Sequence, residues 1–496
     1  MSHVTQTRSL PSGVALLSGA TIGVVALGLA VVATTEPLAL AALVVLITGA
    51  ILIGRSVDWA TYAALFVVYS NAAVVAVNFH GVPPLAAHAA VGLLLIPGLF
   101  YGVLQSRGFV IGPAFPWLLG LAVVQLVGAL WSSRPELAWE DVQTFLQEAV
   151  LLYLLVVNAV RTESSLRGAT RSLLIAGCLM GGIPLLQQVR GDFLNQYGGF
   201  AQTGDEPGFS TGEVTAAGEV VQQRLAGPIG EKNRYAQIML MLIPLGLLRL
   251  RDEQSRAWKA LMFIALGCAT AGAFLAFSRS AIVAAGMVVL FAAWKQYVSR
   301  TKVMAAFAVA VLALLATPEY STRMASLLNL KEMLTAGRHS EADGALKGRA
   351  TEMGAAALVF VDHPLVGVGP GMFKYYSRDY GERIGLRSLA PERQAHCLPL
   401  DVAAENGLLG LICLLGVFGV VGIRLMRIID RNGAGSMRSG LPLAYLLMVA
   451  VYFASGLFLH FAFIRYFWLM IALADATILV CEQRDSVRPV PHSSVA

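Results

Sequence analysis

The sequence predicts an all-α integral membrane protein with about 12–14 transmembrane helices and a large folded loop outside the bilayer. Three observations carry that reading. Of the 496 residues, 57% are hydrophobic and 13% charged, whereas about a quarter of a soluble domain is charged. The apolar residues fall into uncharged blocks of about 18–22, the length a helix needs to cross roughly 30 Å of hydrocarbon. Strand-like alternation is lacking, so helices rather than a closed barrel satisfy the backbone in lipid.

The expected spans are Val14–Ala33, Pro37–Gly54, Trp59–Val77, Pro84–Leu104, Phe115–Trp131, Phe145–Val160, Ser172–Leu186, Tyr235–Leu248, Ala260–Phe277, Ala281–Val298, Val303–Ala316, Ala403–Ile423, Leu441–His460 and Ile464–Val480. Lys and Arg concentrate in every second connection, from Arg55 and Arg107 to the group Arg424, Arg427, Arg431 and Arg438, while the intervening short loops are poor in them. By the positive-inside rule both termini are cytoplasmic. The net charge of +6 therefore reflects membrane anchoring and implies no nucleic-acid partner. The first span is too long for a cleaved signal peptide. Cys178, Cys268, Cys397, Cys413 and Cys481 show no paired spacing, so neither a disulfide framework nor a metal site is expected.

This topology divides the chain into N-terminal transmembrane helices (1–186), a first periplasmic loop (187–232), further transmembrane helices (233–316), a large periplasmic cap loop (317–398), C-terminal transmembrane helices (399–481) and a disordered cytoplasmic tail (482–496). The first loop is polar and Gly-rich with room for a short hairpin. The second is too long for a mere connection and too rich in apolar residues for disorder. It contains an amphipathic helix from Lys347 to Val361 that stops at Pro364.

The chemistry-bearing residues gather on this outer side. Arg279 sits in "AFSRSA", a tight turn between two spans, either as an interface anchor or as a ligand for phosphate oxygens. Arg349 opens the amphipathic helix, where a cation opposes the macrodipole; an anionic partner or a solvated surface position both explain it. In "HPLVGVGPG" the glycines suit backbone turns and close approach, and the run fits neither nucleotide-binding fingerprint, so a structural role is favoured over a catalytic one. His396 lies at the boundary of the span near Ala403 and titrates in the range a general base needs. Asp401 and Glu405, one or two helical turns on, are candidates to orient its ring, and Gly407 and Gly410 permit close helix packing. Asn233 either caps a helix or contacts substrate; Lys232 and Arg234 add positive charge beside it.

The succession "GPIGEKNRYAQIMLMLIPL", "FSRSA", a Gly-Arg pair followed by "DHPLVGVGPGMF", and "HCLPLDVAAENGLLGL" resembles the O-antigen ligase and polymerase superfamily over about residues 226–424. The resemblance implies a GT-C-like membrane glycosyltransferase of the bacterial inner membrane. Such an enzyme takes a glycan from undecaprenyl diphosphate and transfers it, at a periplasmic active site, to a sugar hydroxyl. It implies neither cofactor nor metal. Ligases use the lipid A core as acceptor in lipopolysaccharide biosynthesis, and polymerases of O-antigen or exopolysaccharide use another repeat unit. Position by position, Arg279 and Arg349 match the arginines that hold the diphosphate, and His396 matches the histidine that activates the acceptor hydroxyl. Two departures stand out: Cys397, then Pro399, follow the histidine where the family often has Asn, Ser or Thr, and the chain carries a span or two more than usual. A transporter or flippase is the rival of another class. Against it, no early span shows a buried ion pair, Glu148 being the lone charge.

Overall fold

The computed structural model describes residues 57–102, 108–202, 212–214, 220–297 and 344–486, with a few positions between 299 and 308. The expected spans Val14–Ala33 and Pro37–Gly54, nearly all of Val303–Ala316, the first part of the cap loop and the tail beyond residue 486 lie outside the described residues.

In chain order the helices are α1 (Val57–Tyr69), α2 (Ala72–His80), α3 (Pro84–Gly102), α4 (Phe115–Leu130), α5 (Pro135–Phe145), α6 (Leu152–Ala159), α7 (Glu163–Arg190), α8 (Lys232–Asp252), α9 (Arg256–Leu275), α10 (Arg279–Trp294), α11 (Gly344–Asp362), α12 (Phe373–Ile384), α13 (Leu398–Asn432), α14 (Gly440–Gly456) and α15 (Ile464–Ser486). The protein is a multi-pass, all-α membrane protein. Among the described residues, six helical segments are long and apolar enough to cross a bilayer: Pro135–Ala159, Glu163–Arg190, Arg256–Leu275, Leu398–Asn432, Met437–Gly456 and Ile464–Asp485. The pair α1 and α2, bent by 58°, forms a seventh if counted as one. Helices run past the apolar blocks because their ends are polar turns that still close hydrogen bonds. Thus α7 starts in a Thr162–Ser165 capping box, and α15 continues through Arg484, where a tail was expected. The hairpin anticipated in the first outer loop is present as β1 (Gly212–Val214) against β2 (Val220–Gln223), antiparallel with an irregularity at Glu213/Val214.

Between α5 and α6 the chain makes a π-helical turn, Leu146–Leu151, that carries Glu148. Glu148 is not a lone charge, as the sequence suggested. Arg465 of α15 donates to it at 3.0 Å and to the side chain of Asn71 at 2.7 Å, while Asn71 donates in turn to the Pro228 carbonyl at 2.7 Å. Because Asn71 occupies the bend between α1 and α2 with φ of 61°, the ion pair is spent on holding a broken helix.

The cap rests on a second break. Inside α13, Gly407 adopts φ 62°, ψ −163°, and the backbone groups freed there need partners at the edge of hydrocarbon. The glycine loop supplies them. The amides of Leu408 and Leu409 donate to the carbonyls of Pro364 and Leu365 (2.7 and 3.3 Å), and the amides of Val368 and Gly369 donate to those of Ala404 and Glu405 (3.0 Å each). The approach is so close that a Cβ on Gly367 would lie 2.3 Å from the Glu405 carbonyl carbon, and one on Gly407 2.3 Å from that of Leu365. Around this clasp the cap builds a small core of its own. Ala355 and Val359 of α11, with Met372 and Phe373, pack on Ala138 and Val142 of α5 and Ala404 of α13.

Gly407→Ala should therefore lower the stability of the detergent-solubilised protein by at least about 1–3 kcal/mol. Gly419→Ala, where a Cβ meets open space, should change it by less than about 0.5 kcal/mol. Equal thermal midpoints for the two variants would remove the clasp from this account.

Candidate functional site

Two clusters meet at one end of the bundle, the end that carries the cap, one cationic and one centred on His396. The cationic cluster begins at the first turn of α8. Glu231, in extended conformation, caps that helix by accepting from the amides of Asn233 (2.9 Å) and Arg234 (2.6 Å), so Asn233 does not act as the cap. Its side-chain oxygen instead accepts from Arg224 at 3.2 Å and from Ser278 at 3.0 Å. Arg224, 5% exposed, also donates to the Ala276 carbonyl at 2.9 Å, and the Leu225 amide donates to the Leu275 carbonyl at 3.1 Å. These bonds pin the strand end of the hairpin against the α9–α10 turn. Ser278 caps α10, and Arg279 is the residue that follows it, leading off the helix.

Arg349 joins from the cap. Burial pushes Lys232 down to about 8, Arg224 and Arg349 push in the same direction, and Glu231 opposes them. Lys232 thus feels the charges of both arginines, which come from separate parts of the chain. A cluster of like charges persists where an anion compensates it, and guanidinium forks match phosphate oxygens. Arg224 was not singled out from the sequence, because within a polar loop its burial leaves no local signal.

The second cluster corrects an expectation. The group that holds the His396 ring is Glu352 of α11, not Asp401 or Glu405. Glu352 is 0% exposed; it accepts from Arg393 at 2.7 Å and lies 2.9 Å from Nδ1 of His396. Burial pushes its carboxyl up, but hydrogen bonds and charge from His396 and Arg393 outweigh it and hold the group below its usual range. The Gln394 carbonyl is also 3.1 Å from Nδ1. With two acceptors facing Nδ1, the proton of the neutral ring sits there and Nε2 keeps its lone pair. His396 itself has φ of 50° and a side chain 23% exposed, so it is held firmly yet reachable.

Asp401 and Glu405 have other duties. Asp401 accepts from the Phe461 amide at 2.8 Å, and Glu405 from the Phe373 amide at 3.3 Å, each tying a loop to α13. Arg234, expected to add positive charge beside Asn233, is turned into the protein interior. It is 2% exposed and donates to Gln237 at 2.7 Å and to the His460 carbonyl at 2.5 Å. Arg234 and Asp401 together brace the turn between α14 and α15, which sets the His460 ring 5.6 Å from that of His396. Burial, then Arg234, His396 and Arg393, push His460 well down, so an uncharged imidazole faces His396. Among the described residues no three His, Cys, Asp or Glu side chains are grouped to hold a metal ion.

Residues 263–415 match the family model for O-antigen ligase. That O-antigen-ligase-like segment runs from α9 into α13 and contains Arg279, Arg349, Glu352, the glycine clasp and His396. Arg224, Lys232 and Asn233 lie outside it and reach its residues only through the fold. The similarity is to the O-antigen ligase and polymerase enzymes as a group, whose substrates are lipid-linked glycans. No curated protein matches the chain.

The value of Lys232 gives a pH test for anion binding. Its charge is largely present at pH 7 and largely lost at pH 9, so a diphosphate diester, whose own charge is constant over that interval, should bind roughly 3–10-fold tighter at pH 7. Lys232→Gln should weaken binding at pH 7 and flatten the profile. Calorimetric titration at the two pH values checks both; a wild-type affinity independent of pH would exclude Lys232 from the anion site.

Proposed function

We propose that the protein is a glycosyltransferase of the bacterial inner membrane, moving a glycan from undecaprenyl diphosphate to a sugar hydroxyl on the periplasmic face. It acts as an O-antigen ligase with the lipid A core as acceptor. The observation that carries the reading is α11 itself, which brings the charge of Arg349 within electrostatic reach of Lys232 and, three residues on, sets Glu352 against His396. One helix thereby joins the cations suited to a diphosphate with the base suited to a hydroxyl.

In this reaction Arg279, Arg349 and Lys232, with Arg224 behind them, grip the diphosphate, and Asn233 keeps Arg224 and Ser278 in register. His396 Nε2 takes the proton from the acceptor hydroxyl as its oxygen bonds to the anomeric carbon. The bond from that carbon to the phosphate oxygen breaks, its electron pair leaves on undecaprenyl diphosphate, and the anomeric configuration inverts. Glu352 stabilises the imidazolium that forms, while the neutral His460 adds no opposing charge. The diphosphate leaves as an anion, so fixed cations that stabilise developing charge suffice and the mechanism needs no metal.

Arg279→Ala, Arg349→Ala and His396→Ala should each abolish surface glycan while the protein stays in the membrane. In a purified assay, His396→Ala should lose about 10²–10⁴ in turnover; full activity would sink the proposed base. Glu352→Gln keeps an acceptor for Nδ1–H but loses the charge, so kcat should fall with little change in KM. Deleting the gene tests the acceptor. Long chains accumulating on the lipid carrier, with bare lipid A core, mean ligase, whereas core capped by a single repeat means polymerase.

A further inference from the structure

The far end of the same helices holds a second cationic feature that the transferase reading does not use. α8 is 21 residues long, about 30 Å at 1.5 Å per residue, so its last turn lies a full bilayer thickness from Lys232. There a cavity of about 250 Å³ opens between the start of α7 and the ends of α8 and α15, beside the start of α14. It is lined by Arg167, Arg249, Arg438 and Arg484, with Glu163 and Asp252.

Charge at this end is unbalanced in a specific way. Glu163 pairs with Arg167, Asp252 with Arg251 at 2.8 Å, and the single carboxylate of Glu253 serves both Arg171 and Arg249 at 2.7 Å. Arg438 and Arg484 form no ion pair among the described residues. Arg249 is 4% exposed, yet its Nε has no hydrogen-bond partner among the described residues, nor do Nε and Nη2 of Arg484, though all three atoms are buried. A buried guanidinium N–H without an acceptor is costly, and an anion in the cavity would remove that cost. Most of the remaining lining is apolar, with Leu166, Leu441, Pro442 and Val480 alongside the largely exposed Met437, and Gln254 and Thr477 as its polar members. An apolar wall beside a guanidinium cluster suits an amphiphile better than a free ion.

We propose that this cavity binds the phosphate of an anionic lipid headgroup, on the face of the membrane opposite His396. Basic pockets between transmembrane helices are suited to such headgroups, and the cluster here supplies both charge and unsatisfied donors.

The test is native mass spectrometry of the full-length protein in detergent, titrated with phosphatidylglycerol or phosphatidylcholine, with inorganic phosphate as competitor. Wild type should take phosphatidylglycerol at least about 10-fold more tightly, the effect of one charge-assisted contact, and millimolar phosphate should not displace it. The double variant R438Q/R484Q, which leaves the Arg249–Glu253 pair intact, should lose most of that preference. R427Q, on the same face but outside the cavity, should keep it. Equal binding of the two lipids, an unchanged preference in R438Q/R484Q, or an equal loss in R427Q would overturn the proposal. Displacement by phosphate would overturn the lipid assignment in favour of a free anion. None of these outcomes depends on transferase activity, so the proposal fails or stands apart from that of the outer site.

Discussion

A helix cannot be interrupted beside lipid unless something else takes up its hydrogen bonds, and at Gly407 that constraint organises the cap end of the protein. The four bonds between the glycine loop and the two sides of the break are at once the repair of a membrane helix and the anchor of the cap. Because α11 ends where this loop begins and His396 precedes the broken helix, both are positioned by the same repair. Gly367 and Gly407 are explained by close approach, the two backbones leaving no room for a Cβ on either, whereas Gly369 and Gly371 adopt φ of 104° and 69° and lie against Ser132 and Asp141.

Fixed in that way, the outer site separates its electrostatics into two kinds. Arg224, Lys232 and Arg349 bring like charges within electrostatic reach of one another. Around His396 the charges are matched, with Glu352 buried between the ring and Arg393. The first arrangement suits the anion-binding role proposed for it, the second the holding of a tautomer. Arg234 links them structurally, its backbone amide in the cap of α8 and its guanidinium on the turn that carries His460.

The sequence shows the membrane class, the main described spans, the outer hairpin and the amphipathic helix of the cap, because each rests on composition or periodicity, which are local signals. Helix ends were underestimated wherever polar residues continue the hydrogen-bond ladder, as in α7 and α15. Arg279 and His396 stand out because a charged or titratable residue at a membrane boundary is costly, and Arg349 because a cation at a helix start opposes the macrodipole. Glu352 does not, since a glutamate in the first turns of an amphipathic helix reads as solvated, and only packing places it at zero exposure under His396. The choice of Asp401 and Glu405 followed nearness in the chain; both lie on α13, where their carboxylates meet loop amides. Arg224 was hidden for the same reason as Glu352, a burial decided by segments far away.

The spacing of Arg349 and Glu352 on α11 has a kinetic meaning. Three residues along a helix are about 4.5 Å of axial rise, so the two side chains move as one rigid piece. If Arg349 grips a diphosphate as proposed, a tilt of α11 that loosened this grip would also draw the Glu352 carboxylate from the imidazole. In the proposed reaction, leaving-group release and resetting of the base would then share a single degree of freedom.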